Sequence, residues 1–176
     1  MSIYTETQTL RVASEAAGFP IPTFKTHIHK GYLIGGSQTI EGGADTGIKR
    51  RFSFTPIIQG GVAKAAIDLG LETKRAFRAA AEFAHSGFVS TDPTKNRHPG
   101  LPFVDGETLL LVWDAGQKVV CLVDDMPFTD LIRELPPLAN DVRRPFLVVP
   151  CNPVFERVCS VLGDDYRDVL AAEYGK

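Results

Sequence analysis

No window of about eighteen uninterrupted apolar residues occurs in the chain, so a membrane-spanning helix is not expected. Its first residues, Met1-Ser2-Ile3-Tyr4-Thr5-Glu6-Thr7, carry no basic stretch followed by an apolar run, and no secretory signal is expected. Cysteine is scarce; three residues, an odd number, argue against a disulfide framework and suit a reducing, cytoplasmic setting. A phosphate-binding P-loop, a dinucleotide-binding glycine fingerprint and the Gly-x-Ser-x-Gly nucleophile elbow are all missing. Neither an enzymatic activity nor a cofactor is therefore expected. No internal repeat and no low-complexity tract interrupts the 176 residues, a length that suits one or two domains. With 44% apolar residues the chain can bury an ordinary core.

What is present begins with an uneven distribution of charge. The net charge is −2, which by itself disfavours a nucleic-acid binder. Residues 1–97 hold twelve Lys and Arg against eight Asp and Glu, whereas residues 98–176 hold seven against thirteen. A front of net +4 and a rear of net −6 suit a DNA-contacting module joined to one that faces something else.

Periodicity supplies the elements. Thr9 can cap a first helix through Ala17, with Gly18 just past its end. Phe19-Pro20-Ile21 makes a turn, and Pro22 suits the first position of a second helix that stops at Gly31 and leads into a strand. That second helix, Ile21-Pro-Thr-Phe-Lys-Thr-His-Ile-His-Lys30, is short and cationic. A glycine-rich stretch from Leu33 to Ile48 reads as a hairpin tip. The chain returns as Ile48-Lys-Arg-Arg-Phe-Ser-Phe54, in which Ile48, Arg50, Phe52 and Phe54 alternate with Lys49, Arg51 and Ser53. Thr55-Pro56 opens a third helix that ends at Gly70, and its internal Gly60-Gly61 points to a close backbone approach. Thr73 is expected to cap a fourth helix with Phe77, Ala80, Ala81 and Ala84 inside.

A short helix for the major groove beside a positively charged ribbon is a geometry for holding phosphates while reading base edges. Thr23, Lys25, Thr26, His29 and Lys30 on the second helix, with Lys49, Arg50 and Arg51 on the ribbon, are the candidate DNA contacts. An ordinary solvated face is the alternative for each.

The order and spacing of these pieces resemble the winged-helix DNA-binding domain of the MerR family of transcription regulators. Gly18-Phe-Pro-Ile-Pro-Thr-Phe-Lys25 is similar to the family's turn and the start of its recognition helix. His29-Lys30-Gly31-Tyr32-Leu33 resembles the exit into the wing. Arg51-Phe-Ser-Phe-Thr55 resembles the wing's return strand, and Ala65-Ala-Ile-Asp-Leu-Gly-Leu-Glu-Thr73 the helix–Gly–helix corner that follows. The resemblance covers about residues 9–85 and implies a winged helix–turn–helix acting on double-stranded DNA. Phe24-Lys25-Thr26-His27 stands where the family usually has Leu-Arg-x-Tyr, so no base preference is carried over. A Pro/Gly stretch stands where the family's long dimerising helix would begin.

The remainder reads as follows. Residues 87–106 suggest a linker. Glu107–Trp113 and Gln117–Val123 form an expected hairpin around Asp114-Ala115-Gly116. Phe128, Leu131, Ile132 and Leu135 mark a helix, Phe146–Val149 a strand, and Asn152-Pro153 the start of two final helices. Cys151 and Cys159 lie eight apart, as paired metal thiolates can, but a helix between them would hold the sulfurs about 12 Å apart. Cys151 at a helix N-terminus could have a lowered pKa, yet no general base is visible. Cys121 reads as core, Asp124-Asp125 as a helix cap or a Mg²⁺ ligand pair, and His27 as a packing residue.

The expected fold is α+β. It combines a winged helix–turn–helix of four helices and a wing hairpin (residues 1–86), a linker (87–106), and a small α+β module (107–176) for oligomerisation or a partner protein. The expected function is sequence-specific double-stranded DNA binding by a transcriptional regulator acting as a homodimer. The alternatives are an excisionase-like architectural DNA-binding protein, and a small enzyme or ligand-binding module in residues 107–176 with a pocket lined by Asp124, Asp125 or Cys151.

Overall fold

A computed structural model describes residues 2–34, 51–91, 96–114, 116–122 and 146–175. The expected helix around Phe128–Leu135, the pair Asp124-Asp125 and the glycine-rich tip lie outside the described residues. Within them the protein mixes six helices with two small antiparallel sheets, an α+β arrangement.

The chain opens with a strand that periodicity does not reveal, β1 (Thr7–Thr9), three residues that run directly into α1 (Leu10–Ala16). Thr9 caps α1 as expected, its hydroxyl accepting from the Val12 amide. Helix α2 (Ile21–His29) follows after the turn, with a proline in its first turn. The glycine at its end terminates it as expected: Gly31 takes φ +68°, the left-handed region that costs a Cβ-bearing residue steric strain. This lets the Gly31 amide reach the Ile28 carbonyl and the Tyr32 amide reach the His27 carbonyl. No strand begins there among the described residues. The returning strand β2 (Arg51–Ser53) pairs with β1, Thr9 opposite Arg51 and Thr7 opposite Ser53, and the rest of the expected wing hairpin lies outside the described residues. The sheet therefore bridges the chain start to the ribbon, because the two short strands meet across the base of α1.

Helix α3 (Phe54–Asp68) starts two residues earlier than the Thr55-Pro56 cap-then-proline signal implies, with Ser53 at its N-cap making no side-chain bond. Helix α4 (Thr73–His85) is capped by Glu72 rather than by Thr73, its carboxylate accepting from the Lys74 and Arg75 amides. A carboxylate placed just before those amides satisfies two orphan donors at once and sits favourably at the positive helix end. α3 and α4 lie side by side, and α3 also touches α1 and the C-terminal helix α5 (Asn152–Leu162).

The second sheet has the order β4-β3-β5, with β3 (Glu107–Trp113) between β4 (Gly116–Leu122) and β5 (Phe146–Pro150), all antiparallel. Alternation divides its residues: Leu110, Val112 and Val149 join the helical core, whereas Leu109, Leu111 and Val120 cluster on the opposite face with Trp113, Phe146 and Val148. A last helix, α6 (Tyr166–Tyr174), is laid over the outside.

One hydrophobic cluster runs through both halves, from Phe24, Phe52 and Phe77 to Val149, Phe155 and Cys159. The described part of the segment expected to be a linker is held tightly. Leu101 is fully buried, and Arg97 is only 3% exposed. The Arg97 guanidinium donates to the carbonyls of Phe83, Leu101, His98, Glu82 and Ser86 and lies over the Phe83 ring. It thereby satisfies the carbonyls left over at the C-terminal end of α4, where a cation is favoured. Both chain ends converge here: the Tyr4 hydroxyl donates to the Pro99 carbonyl, the Tyr174 hydroxyl donates to the Pro102 carbonyl and accepts from the His98 amide, and the Ile3 amide donates to Glu173.

Gly60 and Gly61 explain how α3 can be buried all round from Pro56 to Ala63. A Cβ on Gly60 would stand 3.0 Å from the Ala17 methyl and 3.1 Å from the Phe24 ring, and one on Gly61 would stand 3.0 Å from Val154. The two glycines admit α1 and α2 on one side and α5 on the other, the close approach that their presence in a helix implies.

Candidate nucleic-acid interface

Helix α2 is anchored by alternate turns of its inner side. Phe24 is fully buried, its ring 5.9 Å from Phe52 and 6.1 Å from Phe19. His27 is buried among Phe77 (4.9 Å), Phe19 (5.0 Å) and Tyr32 (5.9 Å), which makes it the packing residue expected. Burial, followed by the nearby Lys30 ammonium, lowers its pKa below the usual histidine value. Its Nδ1 has no hydrogen-bond partner. Protonation there would leave a buried N–H without an acceptor, which favours the neutral ring.

Everything polar on α2 apart from His27 faces outward. Thr23, Lys25, Thr26, His29 and Lys30 are all exposed. At 3.6 residues per turn, Pro22, Thr26 and His29 form the centre of this arc, with Lys25 on one flank and Thr23 and Lys30 on the other. Thr26 returns its hydroxyl to the Pro22 carbonyl at 3.0 Å, and the Lys30 ammonium lies 5.9 Å from the Tyr32 ring centre. Among the described residues none of these cations has a carboxylate partner.

Arg51 is exposed on β2 next to the buried Phe52. The Phe52–Phe24 ring contact fixes the root of the ribbon to the inner side of α2, so Arg51 and the α2 arc belong to one rigid assembly. Lys49 and Arg50 lie outside the described residues.

The exit from α2 is fastened by Gln59, a residue that no motif singles out. This fully buried amide donates to the carbonyls of Tyr32 (3.2 Å) and Phe77 (3.0 Å) and accepts from the Ile34 amide (3.0 Å). The His85 ring nitrogen Nε2 lies 3.2 Å from the same Gln59 oxygen. Two carbonyl acceptors on one side decide which end of the amide is the nitrogen, and His85 then serves as a donor. The available signal is a single polar residue inside Pro56-Ile-Ile-Gln-Gly-Gly-Val62, where an unpaired amide would cost too much to bury.

Chemistry of other kinds finds little support. Cys151 and Cys159 are free and buried, and burial pushes both thiols up to about 12. This reverses the depressed pKa that a helix N-terminus suggests for Cys151, because desolvation outweighs the dipole. Sealed in the core, Cys151 lines no pocket open to solvent. Among the described residues no group of three or more His, Cys, Asp and Glu side chains could hold a metal ion, and no helix is long and apolar enough to cross a membrane. No protein-family model and no curated protein matches the sequence.

Proposed function

We propose that the protein is a sequence-specific double-stranded DNA-binding regulator built on a MerR-like winged helix–turn–helix. In this reading α2 enters the major groove, Thr23, Lys25, Thr26 and His29 face base edges and phosphates, and Lys30 and Arg51 hold the backbone on either side. The observation that carries it is the division of α2: Phe24 and His27 lock one side into the core, and the five candidate contacts stand together on the other. A short helix held rigidly from behind and left bare in front is what groove recognition needs, since binding then costs little ordering entropy. The acidic residues 107–176 serve self-association or a partner protein, and a dimer would place two half-sites a multiple of about 10 base pairs apart.

Selection from a random duplex pool, followed by footprinting, tests the proposal. A bound site of defined sequence is the expected result. Lys25→Ala and Arg51→Ala should weaken binding, and removing one cation–phosphate pair should make the salt slope shallower by about 1. The fold should survive both substitutions, because the two side chains are exposed. Failure of the intact protein to retain any duplex at low salt would overturn the reading.

A further inference from the structure

Among the described helices α6 alone has no buried residue. Tyr166, Val169, Leu170 and Tyr174 only lean on the core. Its last turn nevertheless makes specific polar contacts. Tyr174 sets its ring 4.7 Å from that of His98, accepts from the His98 amide at 3.1 Å and donates to the Pro102 carbonyl at 2.7 Å. Glu173 accepts from the Ile3 amide at 3.2 Å, a bond across 170 positions of the chain. A carboxylate in the last turn meets the negative end of the helix dipole and is disfavoured there. Helix stability therefore does not account for Glu173.

The surface under this turn is fixed independently of α6. Arg97 fastens it to α4, and the Gly100 amide donates to the Phe83 carbonyl at 2.9 Å. Gly100, at φ +75°, lies so close to α3 that a Cβ would stand 3.1 Å from both Ile58 and Phe54. Tyr4 joins this base to the ribbon: its hydroxyl donates to the Pro99 carbonyl at 2.6 Å, and its ring stands edge-on to Phe54 at 5.9 Å. Phe54 directly follows β2, and only Thr5 and Glu6 separate Tyr4 from β1. Two residues span at most about 7 Å. The amide and hydroxyl of Thr5 both turn back to the Ser2 carbonyl, at 3.1 and 2.8 Å, which takes up the slack. A shift of the chain start thus reaches β1, its partner β2 and Arg51.

We infer that Glu173 and Tyr174 are positioning residues: docked α6 clamps the chain start to the 97–102 segment and so sets the β1–β2 sheet that carries Arg51. They act through β1, without a DNA contact of their own. Few buried contacts hold α6, so it opens more readily than the core beneath it. By linkage, a ligand that grips Arg51 favours docked α6, and docked α6 favours the grip to the same extent. The bearing on DNA rests on the DNA-binding reading above; the clamp does not.

The test compares Glu173→Ala, Glu173→Gln and Tyr174→Phe in the full chain by amide hydrogen exchange, then by binding to a mixed-sequence duplex of about 30 base pairs. Glu173→Ala and Glu173→Gln change the net charge equally, and only the second keeps an acceptor for the Ile3 amide. In Glu173→Ala and Tyr174→Phe, exchange at Thr7–Thr9 and Arg51–Ser53 should be about tenfold faster, the order of one lost hydrogen bond. Exchange in β3 and β4 should not change, and Glu173→Gln should match the wild type. Duplex binding should weaken about fivefold in the same two variants, and duplex added to the wild-type chain should slow exchange in α6. Unchanged exchange at β1 and β2 would overturn the clamp, as would a Glu173→Gln that behaves like Glu173→Ala. Faster exchange with duplex binding intact, or an α6 that duplex leaves unprotected, would overturn the coupling to DNA. A wild-type chain that binds no duplex would overturn the DNA reading, and exchange would still decide the clamp.

Discussion

Helices α2 and α3 pack against each other and are used in opposite ways. Ten of the fifteen residues of α3 are buried, including the polar Gln59 and both interior glycines. On α2 only Phe24 and His27 are buried. α3 is therefore an axle around which α1, α2, α4 and α5 are arranged, whereas α2 is a presented element. Its apolar side is just wide enough to hold it, and its polar side is left free. Glycine marks the axle, because close approach on two sides leaves no room for a Cβ. Cations and hydroxyls mark the presented helix.

Breaking the anchor of α2 should have the largest effect. Phe24→Ala removes a fully buried ring that touches Phe52 and Phe19, and a drop of about 3–5 kcal/mol in denaturant unfolding is expected. A drop below about 1 kcal/mol would mean that α2 is not held by this ring. The axle comes next. Gly60→Ala gains about 1 kcal/mol of helix propensity but forces a methyl to 3.0 Å from Ala17 and 3.1 Å from Phe24. Over-packing of that kind costs about 1–3 kcal/mol, so a modest net decrease in stability is expected, with a shift in α2 visible in its amide chemical shifts. A net gain would show that the two helices have slack between them.

The smallest effect concerns pH. The pKa of His27 is lowered in the folded protein, by burial first and Lys30 second, and that of His85 is lowered by burial. Each histidine contributes stability that is complete above the unfolded value near 6.5 and is lost as pH falls below it toward the folded value. Unfolding midpoints should fall on acidification from about pH 7 to about pH 5. His27→Phe, which keeps an aromatic ring and removes the titration, should make that fall shallower. An identical pH profile would exclude His27 as a contributor.

Much of this is legible along the chain. Thr9, Pro22, Gly31 and Gly70 stand at helix ends because their chemistry suits only such places, and local chemistry leaves a local mark. The β3–β4 hairpin shows itself through two apolar runs around Asp114-Ala115-Gly116, although Gly116 pairs with Trp113 and is the first residue of β4 rather than part of the turn. Strand β1 does not, since three residues carry too little period to detect and pair with a strand more than forty positions away. Thr73 has the chemistry of a cap, but Glu72 takes the role because its longer carboxylate reaches two amides from one position earlier. Residues 87–106 resemble a tether through their prolines and glycines, yet their described part is pinned by Arg97, whose carbonyl partners on α4 no sequence pattern announces. The candidate interface divides in the same manner. The α2 residues are identifiable because a short helix shows its exposed arc by period alone, whereas Gln59 acquires meaning only from what lies across from it.

The sequence by itself determined where α1 starts and where α2 and α3 stop, which side of α2 is apolar and where positive charge concentrates, because these depend on residues within a turn or two of one another. Tertiary structure alone decided that β2 pairs with β1, that α3 sits at the centre and that Arg97 fastens the connection. Each of these is a contact between residues far apart in the chain, whose energy depends on distance and desolvation in three dimensions.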